Sequence, residues 1–189
     1  MKKITFFAAA WLGIGMLSFC GNNTKNGPQH TTPADSAEAI NKTDKTVDSL
    51  SASFAVNVMD DGMMEVALGK LALEKATDPR VKAFATMSVN DRTRINDELK
   101  AIAEKRKIAL PSDISAAAKK FIDKLSRKSG KFFEKEYIAE MEDNHERDVK
   151  DFDNAANNLE SISLREWARK TLPTVMTHLD SARAIKDAQ

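Results

Sequence analysis

Few residues in this chain have the type and spacing to do chemistry. They are His145, His178 and the carboxylates that helical periodicity can bring to the same height. Glu142 and His145 form a Glu-x-x-His pair, and an i, i+3 spacing sets a carboxylate and an imidazole on one helix face. Di-iron bundles use two such pairs and two further carboxylates; this chain has one pair, so a full di-iron set is not expected. Glu65, Glu142, His145 and His178 remain as candidates for a mononuclear site, since imidazole and carboxylate ligands suit Zn or Fe. Met59 and Met63 lie one turn apart, as do Met141 and His145, and thioethers with imidazole suit Cu(I). Methionine more often serves as adaptable core filling.

The reading preferred over any metal is structural. Glu65, Asp91, Arg92, His145 and His178 can satisfy one another as a buried polar network, with Arg92 as the fixed positive charge between carboxylates. No cofactor is therefore predicted, Zn or Fe being the alternative. The chain has no Gly-rich phosphate loop and no Gly-x-Ser-x-Gly elbow, so an enzymatic role is not expected.

The elements that would position these residues are helices. Phe54, Val58, Glu65, Leu68 and Ala72 share one side of a helix expected from about Ser49 to Ala76. Asp78 is a suitable N-cap and Pro79 a suitable first residue for a second helix ending near Lys107. Ser112 is expected to cap a short helix carrying Ile114, Phe121 and Leu125. After the break at Ser129-Gly130, Phe133, Tyr137, Met141, His145, Phe152 and Leu159 fall in phase on a third long helix. Ser163 and Glu166 read as the capping box of a fourth, which should kink at Pro173. Glu65 and Asp91 are equally far from the turn between the first two long helices, and His145 and His178 are level about the turn near Glu160. All lie near mid-helix. The expected fold class is therefore all-α, a ferritin-like four-helix bundle with a short extra helix between the second and third long ones.

The first residues read as an address. Lys2 and Lys3 precede an uncharged run from Ile4 to Phe19, about 24 Å long as a helix and short for a ~30 Å hydrocarbon core. Residues 1–19 are thus expected to be a signal peptide of the lipoprotein type. Leu17-Ser18-Phe19-Cys20 resembles a lipobox, with Phe19 larger than the usual residue there. Cys20, the single cysteine, is the expected lipidation site, and several acyl chains would hold the protein on a membrane. Residues 20–48 are rich in Asn, Thr, Gly, Pro and Ser and are expected to form a flexible tether, with His30 solvated. Residues 49–189 are expected to be the bundle domain. The expected location is the cell envelope, facing the periplasm and most consistent with the outer membrane. With 29 basic and 28 acidic residues and a net charge of +1, the chain has no overall field to draw nucleic acid.

The string "EVALGKLALEKATDPRVKAFATMSVNDRTRINDELKAIAEKRKIALP", followed by "SGKFFEKEYIAEMEDNHERDVKDF" and "WARKTLPTVMTHLDSA", resembles a bacterial family, domain of unknown function 4142. Its members are often labelled predicted outer-membrane proteins and placed in the ferritin-like class. The resemblance implies a four-helix bundle in the envelope and no established activity. Members carry Asp-His where this chain has Asp91-Arg92, so the resemblance implies that a ligating position in relatives is a cation here. Glu65, His145 and His178 match the family pattern. Sequence and resemblance together lead to a lipid-anchored envelope bundle with a non-enzymatic interaction or envelope-maintenance role. The alternative is a ferritin-like metal-binding or redox protein.

Overall fold

The computed structural model describes residues 32–44 and 47–189. The expected signal peptide and Cys20 lie outside the described residues. Six helices follow in order: α1 Pro33–Thr43, α2 Ser49–Lys75, α3 Pro79–Arg106, α4 Ala116–Ser126, α5 Gly130–Asn158 and α6 Ile162–Asp187.

Local chemistry explains most boundaries. The Asp48 carboxylate accepts from the Ser51 amide at 2.7 Å and opens α2. Asp78 accepts from the Arg80 amide, with Pro79 entering α3 where a missing N–H costs nothing. α3 ends as Lys107 turns left-handed at φ 56°, and the Ile108 amide reaches back to the Ala103 carbonyl at 2.9 Å. Three expectations need correction. The short helix is capped by Ser115, whose hydroxyl accepts from the Ala118 amide, and not by Ser112. No capping box forms at Ser163 and Glu166, because α6 has already begun at Ile162. The Ser163 hydroxyl instead accepts from Arg106 Nε at 3.0 Å. Within the stretch expected to be a flexible tether, Pro33–Thr43 forms α1 instead. Thr32 and Asp35 form a reciprocal capping box that starts α1, and Asn41 then pairs with both backbone groups of Ala109, at 3.0 and 2.7 Å. That pairing supplies the ordering energy that sparse apolar content could not. α6 runs on through Pro173.

α2 and α3 form one antiparallel hairpin, α5 and α6 another, and α2 packs on α5 and α3 on α6. Phe54 near the start of α2 meets Phe152 near the end of α5, and Trp167 near the start of α6 donates to Glu98 near the end of α3. Both cross-hairpin pairs are therefore antiparallel. Such an arrangement requires the link from α3 to α5 to travel the length of the bundle. α4 does this along α2: the Ser115 amide donates to Asp60, and Lys75 donates to the Ser126 carbonyl. One long crossover between two hairpins is the topology of ferritin-like bundles.

The apolar core is split. One cluster, around Phe54, Leu99, Phe152 and Trp167, fills the end where α2 begins. Another, around Leu68, Phe84, Phe133 and Tyr137, fills the end where α2 finishes. Buried polar residues from all four long helices lie between them: Glu65, Ser88, Arg92, Asn96, Asn144, His145, Asp148 and His178. Gly62 and Gly69 flank Glu65 on α2. A Cβ at Gly62 would collide with the Asn96 amide, and one at Gly69 would lie 2.6 Å from Val89 Cγ2. These two glycines let α3 approach closely enough for its side chains to span the core at Glu65.

Candidate functional site

The centre of the polar layer is Arg92, which has no exposed surface. Its Nε donates to Glu65 Oε2 at 2.9 Å and its Nη2 to Glu65 Oε1 at 2.7 Å. Nη2 also donates to Asp148 Oδ2. A fork of this kind matches the planar geometry of guanidinium and carboxylate. Burial alone would lower the Arg92 pKa, but Asp148 and Glu65 raise it further above its ordinary value. Arg92 is therefore a permanent cation. Burial pushes Glu65 up to about 7, against the opposing pull of Arg92 and with Asp148 adding to the rise. Two carboxylates against one cation leave the layer short of positive charge, which adds to the effect of burial in making a carboxyl here hold a proton more readily than usual.

The histidines extend this layer outward. His145 Nδ1 lies 2.7 Å from the Met141 carbonyl, which can only accept, so Nδ1 carries the hydrogen. His145 Nε2 faces His178 Nδ1 at 3.2 Å and Glu65 Oε2 at 3.3 Å. His178 Nε2 then reaches Asp91 Oδ2 at 3.0 Å, on the half-exposed side of α3. Burial, with help from Arg92, holds His145 down at about 4, and burial likewise lowers His178. Two neutral rings bring two N–H groups to three contacts, so one contact lacks a proton. Uptake of one proton would complete the chain, with Asp91 as its counter-ion; hydrogen bonds from His178 and Arg94 outweigh burial and keep Asp91 below its ordinary value.

Glu65, His145 and His178 are thus brought together with Arg92, as the sequence implies. Asp91 joins through His178 but stays half-exposed and also pairs with Arg94. Glu142 does not join. It points to the outer face between α5 and α6, where Lys186 and Arg183 pair with it. Met141 contributes its carbonyl to the layer through His145, and Met59 packs in the apolar cluster at the far end. The residue missed in the sequence is Asp148. Its signal was available, because His145-x-x-Asp148 has the same one-face spacing as Glu142-x-x-His145 but runs toward the centre of the bundle.

Glu65, His145 and Asp148 each offer a ligand atom, and these atoms lie within 4.8 Å of one another. A divalent ion does not fit them as they stand. Both Glu65 oxygens and one Asp148 oxygen already accept from Arg92, and a guanidinium has no lone pair to give a metal. An ion placed there would meet a fixed positive charge in a region of low dielectric.

The fold and this layer define a class: an all-helical bundle whose polar middle is closed by an internal cation. Residues 31–185 match the family described as domain of unknown function (DUF4142), and the chain belongs to that family. No curated protein and no solved structure matches it.

A groove between α2 and α5 leads toward the layer and is lined by Asp61, Asp148 and Asp151 together with Phe54 and Val58. Burial pushes Asp61 up to about 7, with Asp148 and Glu65 adding to the rise and Arg92 opposing it. A folded-state pKa above the unfolded 3.8 means that the stabilisation from proton uptake is complete below 3.8 and is lost as pH rises through about 7. Asp61→Asn should therefore raise unfolding free energy by on the order of 2–4 kcal/mol at pH 8, the gain shrinking as pH falls toward 4. Urea unfolding of both forms across that range checks this, and a gain independent of pH would contradict it.

Proposed function

We propose that this protein is a lipid-anchored bundle of the cell envelope, facing the periplasm, that acts as a non-enzymatic scaffold for interaction or envelope maintenance. The observation that carries the non-enzymatic part is the guanidinium of Arg92, stationed between Glu65 and Asp148 where a metal would have to sit. It neutralises the carboxylates, fills the polar centre and leaves the layer as a device for helix register. The anchoring part rests on the sequence around Cys20 and on the basic, then apolar, residues before it. No helix among the described residues is long and apolar enough to cross a membrane.

A second reading is supported by one specific observation, the proximity of Glu65, His145 and Asp148 ligand atoms. In that reading the protein binds Zn or Fe, and Arg92 is displaced on binding. Calorimetric titration with Zn2+ and Fe2+ separates the two. Wild type should bind neither tightly. Arg92→His removes the fixed charge and supplies an imidazole, so this variant should gain affinity and be stabilised by added metal. Stoichiometric, tight binding by wild type that is lost in His145→Ala would replace the scaffold reading with the metal-binding one.

Anchoring is tested separately. Cys20→Ala should leave the protein as an uncleaved precursor or release it from the membrane fraction, as read by fractionation and intact mass. A mature protein with an unmodified Cys20 thiol would end the lipid-anchor claim.

A further inference from the structure

The segment that climbs from α4 into α5 concentrates positive charge on a nearly neutral protein. Between Lys119 and Glu136 there are seven lysines and arginines against three carboxylates. Asp123 is exposed on α4 and forms no ion pair among the described residues, and the other two do little to mask the cations at the surface. Glu134 is buried and accepts from the Thr77 and Asp78 amides, at 2.6 and 2.8 Å. Glu136 is half-buried and is shared by Lys124 and Lys128. Lys119 is held by Asp113. Lys120, Arg127, Lys131 and Lys135 are exposed and form no ion pair among the described residues.

Phe132 projects from the same place. It is 81% exposed, whereas its neighbour Phe133 is fully buried. Phe121 on α4 is half-buried beside Lys124, whose Nζ lies 6.0 Å from its ring centroid. Gly130 makes this presentation possible: its φ of 54° turns the chain into α5 with nothing within 4 Å of a would-be Cβ. Arg127, Lys131, Lys135 and the bare ring lie at the end of the bundle where α2 finishes, since Lys75 bonds to Ser126 there and Thr77 to Glu134, and Lys120 lies under two turns back along α4. α1 is held at the other end through Asn41 and Ala109.

We infer that this basic, aromatic end docks on an anionic lipid bilayer surface. Lysine and arginine stems can lie along the headgroup layer with their charges at the phosphates, while an aromatic ring enters the boundary with the acyl chains. The bare Phe132 ring favours a lipid surface over an acidic protein or polymer, because a bilayer gives an apolar side chain somewhere to go without requiring a shaped pocket. Each unmasked cation near such a surface contributes about fivefold to partitioning at moderate salt. This gives the scaffold reading a partner and rests on that reading only for its biological setting; the site itself requires neither acylated Cys20 nor Arg92.

The test is vesicle co-sedimentation of the full chain carrying Cys20→Ala, using phosphatidylcholine alone and phosphatidylcholine with phosphatidylglycerol. The protein should prefer the anionic vesicles at least tenfold, and the preference should fade as salt approaches about 0.5 M. Changing Lys120, Arg127, Lys131 and Lys135 together to Glu should abolish the preference. Changing exposed Lys100, Lys105, Lys150 and Lys170 to Glu, for the same net charge placed toward the opposite end of the bundle, should leave most of it. Both quadruple variants carry the same residues 1–20, so the comparison between them removes any contribution from that segment. Phe132→Ser should weaken binding several-fold and keep its salt sensitivity. Helical circular dichroism confirms that each variant is folded. Equal binding to both vesicles, or equal loss in both quadruple variants, would overturn the inference. So would salt-sensitive binding to soluble polyglutamate with no vesicle preference, which would assign the surface to an acidic macromolecule. Titration with Zn2+ leaves this result untouched, so the inference and the scaffold reading can fail separately.

Discussion

A guanidinium without exposed surface must be matched by what surrounds it, and in this bundle that requirement falls on three helices at once. Arg92 extends from α3 to Glu65 on α2 and to Asp148 on α5. Sliding any of these helices by one turn would move a carboxylate about 5.4 Å from its partner and strand a charge in a low-dielectric interior. Apolar packing tolerates such slippage far better, because one leucine can often replace another. The ion pairs therefore do what the two apolar clusters on either side cannot do alone, which is to select a single register for the helices. The net contribution to stability of such a layer can be small, since desolvation of the charges offsets their attraction. Its contribution to specificity is larger.

Charge balance within the layer also shapes its proton chemistry. Two carboxylates face one guanidinium and Asp61 lies beside them; burial raises Glu65 and Asp61 to about 7, and the neighbouring carboxylates add to the rise. The histidine pair has the complementary feature of three hydrogen-bond contacts and two protons when neutral. His145 stays neutral because burial and Arg92 both penalise an imidazolium. The route from the buried carboxylates through His145 and His178 ends on Asp91, the member of the chain that water reaches.

The helical elements were legible in the sequence because their apolar residues repeat at helical spacing and Asp78-Pro79 marks a turn that could hardly be anything else. The level of Glu65, His145 and His178 was legible too, because antiparallel helices of similar length place residues equidistant from a turn at one height. Facing was less legible. Glu142 and Asp148 are each three positions from His145, and only the direction in which α5 rotates against α2 and α6 decides which carboxylate enters the core. α1 was missed because its anchoring is a tertiary event: Asn41 finds the backbone of Ala109, a pairing with no trace in local composition. The cap positions of α4 and α6 were misplaced because serine recurs near both starts, and the hydroxyl that caps is chosen by where the preceding loop is held.

The central claim is that Arg92 and the carboxylates act as one unit, and a double-mutant cycle on Arg92 and Glu65 measures it directly. Arg92→Leu should destabilise the bundle by about 3–5 kcal/mol in urea unfolding, because it leaves Glu65 and Asp148 buried without their cation, and Glu65→Leu should cost less, because Arg92 keeps Asp148. The double variant should cost well below their sum, with a coupling energy of about 2 kcal/mol or more. Single effects that simply add, to within about 0.5 kcal/mol, would mean that the two side chains do not depend on each other and that the bundle is not registered by this ion pair.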